Sequence, residues 1–106
     1  MIVVLITAPK EEGKKIAKTL LEQKLCACVN IVEEVNSFFL WQNKIDSEKE
    51  CLLVAKTDNS LFAKLEKEVR NIHPYDVPEI ISFKLNNVSK PYQSWLNQEL
   101  GVSTSD

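Results

Sequence analysis

The sequence predicts an α+β domain of βαββαβ order, with two helices on one face of an antiparallel sheet. Three observations lead there. The chain starts with a β-branched run, Ile2 to Ala8, that suits a central strand covered on both faces. Two stripes of apolar residues recur at helical spacing, one at Gly13, Ile16, Ala17, Leu20 and Leu21, the other at Leu61, Phe62, Leu65, Val69 and Ile72. Between them lies a long extended region broken by a single turn signal, Gln42-Asn43-Lys44.

The elements follow in order. After the first strand, Pro9 suits the first turn of a helix, where Glu11 and Glu12 sit near its positive end; the helix fades near Lys24. A second strand runs from about Cys28 to Gln42, but its apolar residues do not keep one parity. Val29, Ile31, Val35, Phe39 and Trp41 would share one face, and Val32, Phe38 and Leu40 the other. Either both faces are covered or a bulge near Glu33-Glu34 shifts the register. Asn43 tolerates positive φ and so fits a tight hairpin turn. The return strand spans about Ile45 to Lys56, with Cys51 to Ala55 as its buried part. Asp58 or Thr57 can cap the second helix. The two prolines in His73-Pro74-Tyr75-Asp76-Val77-Pro78 bar a helix there. Glu79 to Leu85 reads as a fourth strand. Ser89 caps a short last helix bearing Tyr92, Trp95, Leu96 and Leu100, with Gly101 just past its end. Each helical crossover joins parallel strands and is right-handed. The result is the ferredoxin-like double βαβ arrangement with a long projecting hairpin and a short C-terminal helix. One domain is expected over 1–101, and a disordered tail over 102–106.

Composition narrows the function. With 106 residues the chain forms one domain, large enough to bury roughly 65% of its extended-chain surface. Its 13 basic and 15 acidic residues leave a net charge of −2, which advertises neither nucleic acid nor an anionic membrane. No apolar run approaches the ~20 residues of a membrane span, and the N-terminal run lacks the basic flank and cleavage site of a signal peptide. Three cysteines, Cys26, Cys28 and Cys51, give an odd count without a disulfide framework, so a cytoplasmic location is expected.

Strand lengths point to self-association. The first strand spans roughly 23 Å, whereas each hairpin arm spans roughly 40–50 Å. The hairpin therefore overhangs its own sheet, and its overhanging end carries Phe38, Phe39, Leu40 and Trp41. A bare two-stranded ribbon is marginal in water, and exposed aromatics with free strand edges mark contact surfaces. Alternatively, the hairpin curls back over its own sheet and the last helix covers it.

Several strings in the chain resemble the CutA family. They are Ala27-Cys28-Val29-Asn30-Ile31, Ser37-Phe38-Phe39-Leu40-Trp41, Glu50 through Lys56-Thr57, His73-Pro74-Tyr75, Pro78-Glu79-Ile80, and Tyr92 with Trp95. In this order and spacing they cover roughly positions 2 to 97. The resemblance implies a ferredoxin-like fold assembled as a homotrimer through strand edges, and tolerance of divalent metals, copper in particular. It also implies a similarity in architecture to trimeric PII signalling proteins, which bind small effectors in clefts between subunits. The chain departs from the family pattern at Asn43, where glycine is common, at Asp76, where Glu is common, at Asn86-Asn87, which replaces a glycine-containing turn, and at Phe39. The last removes the phenolic oxygen of a frequent tyrosine.

Candidate site residues follow from chemistry and resemblance together. His73 is the only histidine, either a metal ligand or a helix-closing residue that bonds a carbonyl. Cys26 and Cys28, two apart on a strand, would point to one face and offer two thiolates to a soft metal; Cys28 matches the family string and is favoured. Cys51, between apolar neighbours, reads as a small buried hydrophobe. Glu79 either joins Cys28 and His73 around copper or another divalent cation, or pairs with Lys56. A closed site needs about four ligands, so a neighbouring subunit or water would complete it. Trp41, Lys56, Tyr75, Tyr92 and Trp95 either line an inter-subunit cleft that takes a small anionic effector or pack an interface. The chain carries no Walker loop, GxGxxG, GxSxG, HExxH or CxxC, and no enzymatic role is expected.

Overall fold

A computed structural model describes residues 1–103. Its strands are β1 (Ile2–Pro9), β2 (Cys28–Trp41), β3 (Lys44–Thr57) and β4 (Ile80–Lys84); its helices are α1 (Gly13–Glu22), α2 (Phe62–Ile72) and α3 (Lys90–Leu100). The four strands form one antiparallel sheet in the order β2-β3-β1-β4. β1 and β2 therefore run parallel with β3 between them, and β3 and β4 run parallel with β1 between them. This is the expected ferredoxin-like arrangement.

The buried side chains of the sheet alternate with the strand period. Ile2, Val4, Ile6 and Ala8 of β1 pair in register with Thr57, Ala55, Leu53 and Cys51 of β3, and all eight are nearly or wholly buried. Ile16 and Leu20 of α1 and Leu65 and Val69 of α2 close over this face to form the core. Each such aliphatic side chain contributes about 1.5–3 kcal/mol on burial. Thr57, buried among them, donates its hydroxyl hydrogen to the Leu25 carbonyl at 2.7 Å.

Helix starts and stops differ from expectation in detail. Pro9 ends β1 rather than opening the helix, and a 3-10 turn at Lys10–Glu12 intervenes before α1. Asp58 is the cap of the second helical segment: its carboxylate accepts from the Ser60 N–H at 3.0 Å, ahead of a 3-10 turn at Asn59–Leu61. Ser89 holds the cap position of α3 without a side-chain cap bond, and its carbonyl accepts from the Gln93 N–H. Gly101, at φ 67°, closes α3 in the left-handed region that glycine adopts without penalty. Val102 is tied back by its N–H to the Asn97 carbonyl at 3.0 Å, so it still belongs to that cap. The rest of the expected tail lies outside the described residues after Ser103.

The irregular parity of β2 has one cause. Val32 pairs with Leu52, but Val35 pairs with Glu50, so Glu33 and Glu34 together stand opposite Cys51. This is a β-bulge, and it flips the strand's faces. Before it, Val29 and Ile31 lie with the core; after it, Val35, Phe39 and Trp41 lie on the opposite face, with Val32. The expected shared face of all five residues is thereby corrected. At the tip, Gln42 and Asn43 both take positive φ, 51° and 65°, the geometry of a two-residue type I′ turn.

The hairpin does not curl back. β1 pairs with β3 only as far as Glu50, so Lys44–Lys49 and their β2 partners project about 20 Å beyond the sheet. The molecule measures 48 × 26 × 22 Å with a radius of gyration of 14.7 Å, against about 13 Å for a compact chain of this length. Phe38, Leu40 and Ile45 stand on one face of the projecting ribbon, 74–79% exposed.

Gly13 marks where α1 lies closest to the sheet. A Cβ there would come within 2.7 Å of the Cys51 Sγ, so Gly13→Ala should lose about 1–3 kcal/mol of stability by overpacking. Cys51→Ala should recover part of that loss in the double variant. Urea unfolding at one fixed protein concentration reads both effects, and strict additivity would mean that the contact is not their cause.

Candidate functional site

The bulge and the strand period together build one wall of a cavity. In β3, Asp46, Glu48 and Glu50 are each two residues apart and so project from one face. Across the ribbon their partners are Phe39, Ser37 and Val35, which the bulge has turned to that same face. The opposite wall is the segment between α2 and β4, from which Tyr75, Asp76, Val77 and Glu79 reach in. The cavity holds about 580 Å³ and is lined also by Thr7, Phe38 and Trp41. Five carboxylates line it and no basic side chain does.

His73 fastens the far wall. Its backbone N–H closes α2 on the Val69 carbonyl at 2.8 Å. Its ring Nδ1 accepts the Tyr75 N–H at 3.1 Å. The other nitrogen, Nε2, therefore carries the proton and donates to the Thr7 carbonyl at 2.8 Å. The imidazole is buried and packs at a tilt against the Tyr75 ring, with ring centroids 4.8 Å apart. Both nitrogens are committed to backbone, so no lone pair faces a ligand. The expected carbonyl bond exists, but it runs to β1 rather than within the helix.

Tyr75 carries this anchoring into the cavity. Its hydroxyl donates to the Glu50 Oε2 at 2.9 Å, and Glu50 is only 5% exposed. Burial first, then the bond to Glu50 and the nearby charges of Glu50, Glu48 and Glu11, push the Tyr75 phenol up to about 12.

A second cluster lies at the other end of β3. Lys56 pairs with Cys28, and its Nζ donates to the Cys28 Sγ at 3.9 Å. Tyr92 of α3 lies near the same thiol and packs at a tilt against Trp95, ring centroids 5.4 Å apart. Burial, followed by the neighbouring Cys28, raises the Tyr92 phenol above its ordinary value. Cys26 does not join this cluster. It is buried in the core, and burial, followed by the charge of Cys28, pushes its thiol up to about 12. Cys51 is buried as well, and its thiol is raised chiefly by that burial.

Cys28, His73 and Glu79 are thus not brought together, and among the described residues no three His, Cys, Asp or Glu side chains converge to hold a metal ion. Cys28 belongs with Lys56, about 20 Å along β3 from Glu50. Glu79 lines the acidic cavity instead of pairing with Lys56. The five aromatic and basic cleft candidates divide likewise: Trp41 and Tyr75 at the cavity, Lys56, Tyr92 and Trp95 at the thiol. Sequence reasoning missed the wall of Asp46, Glu48 and Glu50. The alternation of three acids over one strand was the signal that could have found it.

Alkaline titration followed by tyrosine absorbance should show Tyr75 ionising near about 12, with Tyr75→Phe removing that step. Because the folded value lies above the ordinary 10.0, the associated stability is complete below pH 10 and is lost as pH rises toward about 12. A Tyr75 that titrates at its ordinary value would refute the bond to Glu50.

Comparison with known proteins places this geometry. The family model for the CutA1 divalent ion tolerance protein matches residues 2–99. The divalent-cation tolerance protein CutA of Thermus thermophilus is 43% identical over 100 residues, covering 93% of this chain and 97% of that one. The chloroplastic protein CutA of Arabidopsis thaliana is 44% identical over 96 residues, covering 90% of this chain but 53% of its own length. Among solved structures, the periplasmic divalent cation tolerance protein CutA of Archaeoglobus fulgidus superposes with a TM-score of 0.90 at 38% identity, covering 94% and 99% of the two chains. The PII-like protein CutA of Nostoc does so with a TM-score of 0.88 at 29% identity, covering 94% and 97%. By sequence along nearly its whole length and by fold, this chain belongs to the CutA1 divalent ion tolerance family.

Proposed function

We propose that the protein is a homotrimer that binds divalent cations, copper-like ions among them, at the acidic cavity beneath its projecting hairpin. The observation that carries this reading is the cavity's lining: Asp46, Glu48, Glu50, Asp76 and Glu79 with no basic side chain to balance them. Carboxylates gathered without counter-charge raise the local concentration of cations. One chain does not close a coordination shell, since residues two apart on a strand stand about 7 Å from each other. The ion keeps water, and a neighbouring subunit supplies the remaining donors. Glu50 is the buried carboxylate of the set and Glu79 an exposed one on the facing wall; His73 holds the wall and Cys28 lies elsewhere.

Assembly follows from the same hairpin. Phe38, Leu40 and Ile45 on one face of the ribbon, and the free edges of β2 and β4, are surfaces that another copy would cover. The protein acts by binding rather than by catalysis. Its three free thiols favour the cytoplasm, although the Archaeoglobus relative is described as periplasmic.

A second reading, a regulatory module for a small anionic effector, draws on the Nostoc relative described as PII-like. Within one chain Lys56 and Tyr75 stand too far apart for one anion to meet both, and the acidic lining around Tyr75 repels an anion. An effector site would have to sit at Lys56 alone.

Equilibrium dialysis against copper(II) and zinc(II) tests the first reading. Glu50→Gln and Glu79→Gln should each weaken binding by about 1 kcal/mol, roughly fivefold, and His73→Ala should weaken it only as far as it unsettles Tyr75. Sedimentation equilibrium should give three times the chain mass. Unchanged affinity in both glutamine variants would remove the cavity from the site.

A further inference from the structure

The acidic cavity is larger and more aromatic than an inorganic ion requires. We infer that it also takes an organic cation, a linear diamine or polyamine laid along the carboxylates of β3; this rests on the reading of the cavity as a cation site. Its volume of about 580 Å³ falls among pockets for small organic ligands, about 300–1,000 Å³. A metal ion with six waters needs only about 200 Å³. Among the described residues no three side chains converge as the donors of a metal ion would.

Three features of the lining fit an alkylammonium chain. The first is charge spacing. Asp46, Glu48 and Glu50 line the cavity from one face of β3, each about 7 Å from the next. Two ammonium groups joined by four methylenes stand roughly 6 Å apart when extended, so each meets its own carboxylate. Lys44, next along that face, bounds the row at the hairpin tip. The second feature is a buried carboxylate with a free oxygen. Glu50 is 5% exposed and its Oε2 accepts the Tyr75 hydroxyl; among the described residues no donor bonds its Oε1. Every fully enclosed side-chain nitrogen or oxygen among those residues has a partner, so Oε1 opens on the cavity. A carboxylate this deep calls for a further donor, and an ammonium group carries three. The third feature is aromatic. Phe39 and Trp41 stand across the ribbon from Asp46 and Lys44, and the Tyr75 ring comes from the facing wall. Ring faces attract alkylammonium groups and cover the methylenes between them. A hydrated metal ion has no methylenes to cover.

Calorimetric titration of the intact assembled protein, metal-free and at constant ionic strength, compares 1,4-diaminobutane with 1-aminobutane; zinc(II) is titrated separately. The diamine should bind roughly tenfold more tightly than the monoamine, and Glu48→Gln should remove most of that advantage. Trp41→Leu should weaken the diamine about threefold and leave zinc(II) unchanged. Circular dichroism and sedimentation check that variant, and Phe39→Leu makes the same test if its fold or assembly is disturbed. The inference is overturned if the diamine binds no more tightly than the monoamine, or if the aromatic variants weaken zinc(II) as much as the diamine. Zinc(II) binding without diamine binding overturns this inference and leaves the metal reading standing. Diamine binding without zinc(II) binding removes the metal and keeps the organic cation.

Discussion

Two residues of β2, Glu33 and Glu34, occupy the place opposite one residue of β3, Cys51. Much of the molecule depends on that surplus. Upstream of it the strand's odd-numbered residues, Val29 and Ile31, pack into the core beneath α1 and α2. Downstream the odd-numbered residues face the other way, so Phe39 and Trp41 meet Asp46 and Lys44 on the cavity side. A regular strand would send Phe38 and Leu40 there instead and leave the acidic wall opposite different partners. The bulge is therefore the step at which a sheet built for packing becomes a ribbon built for presentation. Lys10 and Glu34, bonded at 2.6 Å, mark the same place on the surface, but an exposed pair of this kind adds little stability.

The sheet is divided into two zones by where β1 ends. As far as Glu50, β3 has a neighbour on each side and alternates buried with half-buried residues; beyond it, β3 has β2 alone and is exposed throughout. Glu50 stands at the boundary, which explains its unusual position as a buried carboxylate. It belongs to the packed sheet by depth and to the projecting ribbon by the direction of its side chain. Tyr75 meets that need by donating its hydroxyl, because a buried carboxylate without a donor would cost several kcal/mol.

The order of elements, the bulge, the turn and the overhang were legible because each rests on local rules: periodicity, a parity conflict at Glu33-Glu34, an asparagine at the hairpin tip, and strand lengths that do not match. The site was legible only in its parts. Glu79, Trp41 and Tyr75 line one cavity, but within one chain Cys28 does not stand with His73 and Glu79, because sequence neighbours of different loops need not converge at one rim. Cys28 and Glu79 instead belong to opposite ends of the sheet, a fact fixed by the register of β3 against both β1 and β2. Cys26 and Cys28 illustrate a second limit. Their spacing implies one face only if both lie in the strand, and β2 begins at Cys28, leaving Cys26 in the turn that dives into the core.

A lone histidine invites a ligand's role, yet His73 serves the site by what it holds. Its Nδ1 fixes the Tyr75 backbone and its Nε2 fixes β1, so the segment bearing Tyr75 is registered against the central strand on one side and, through the Tyr75 hydroxyl, against Glu50 of β3 on the other. The cavity's far wall is thus positioned by two strands, β1 and β3, without any helix or strand of its own. Pro74 and Pro78 add stiffness by restricting their predecessors. The imidazole is therefore a structural clamp with both ring nitrogens bonded to backbone, and it holds one wall of the cavity that the five carboxylates line.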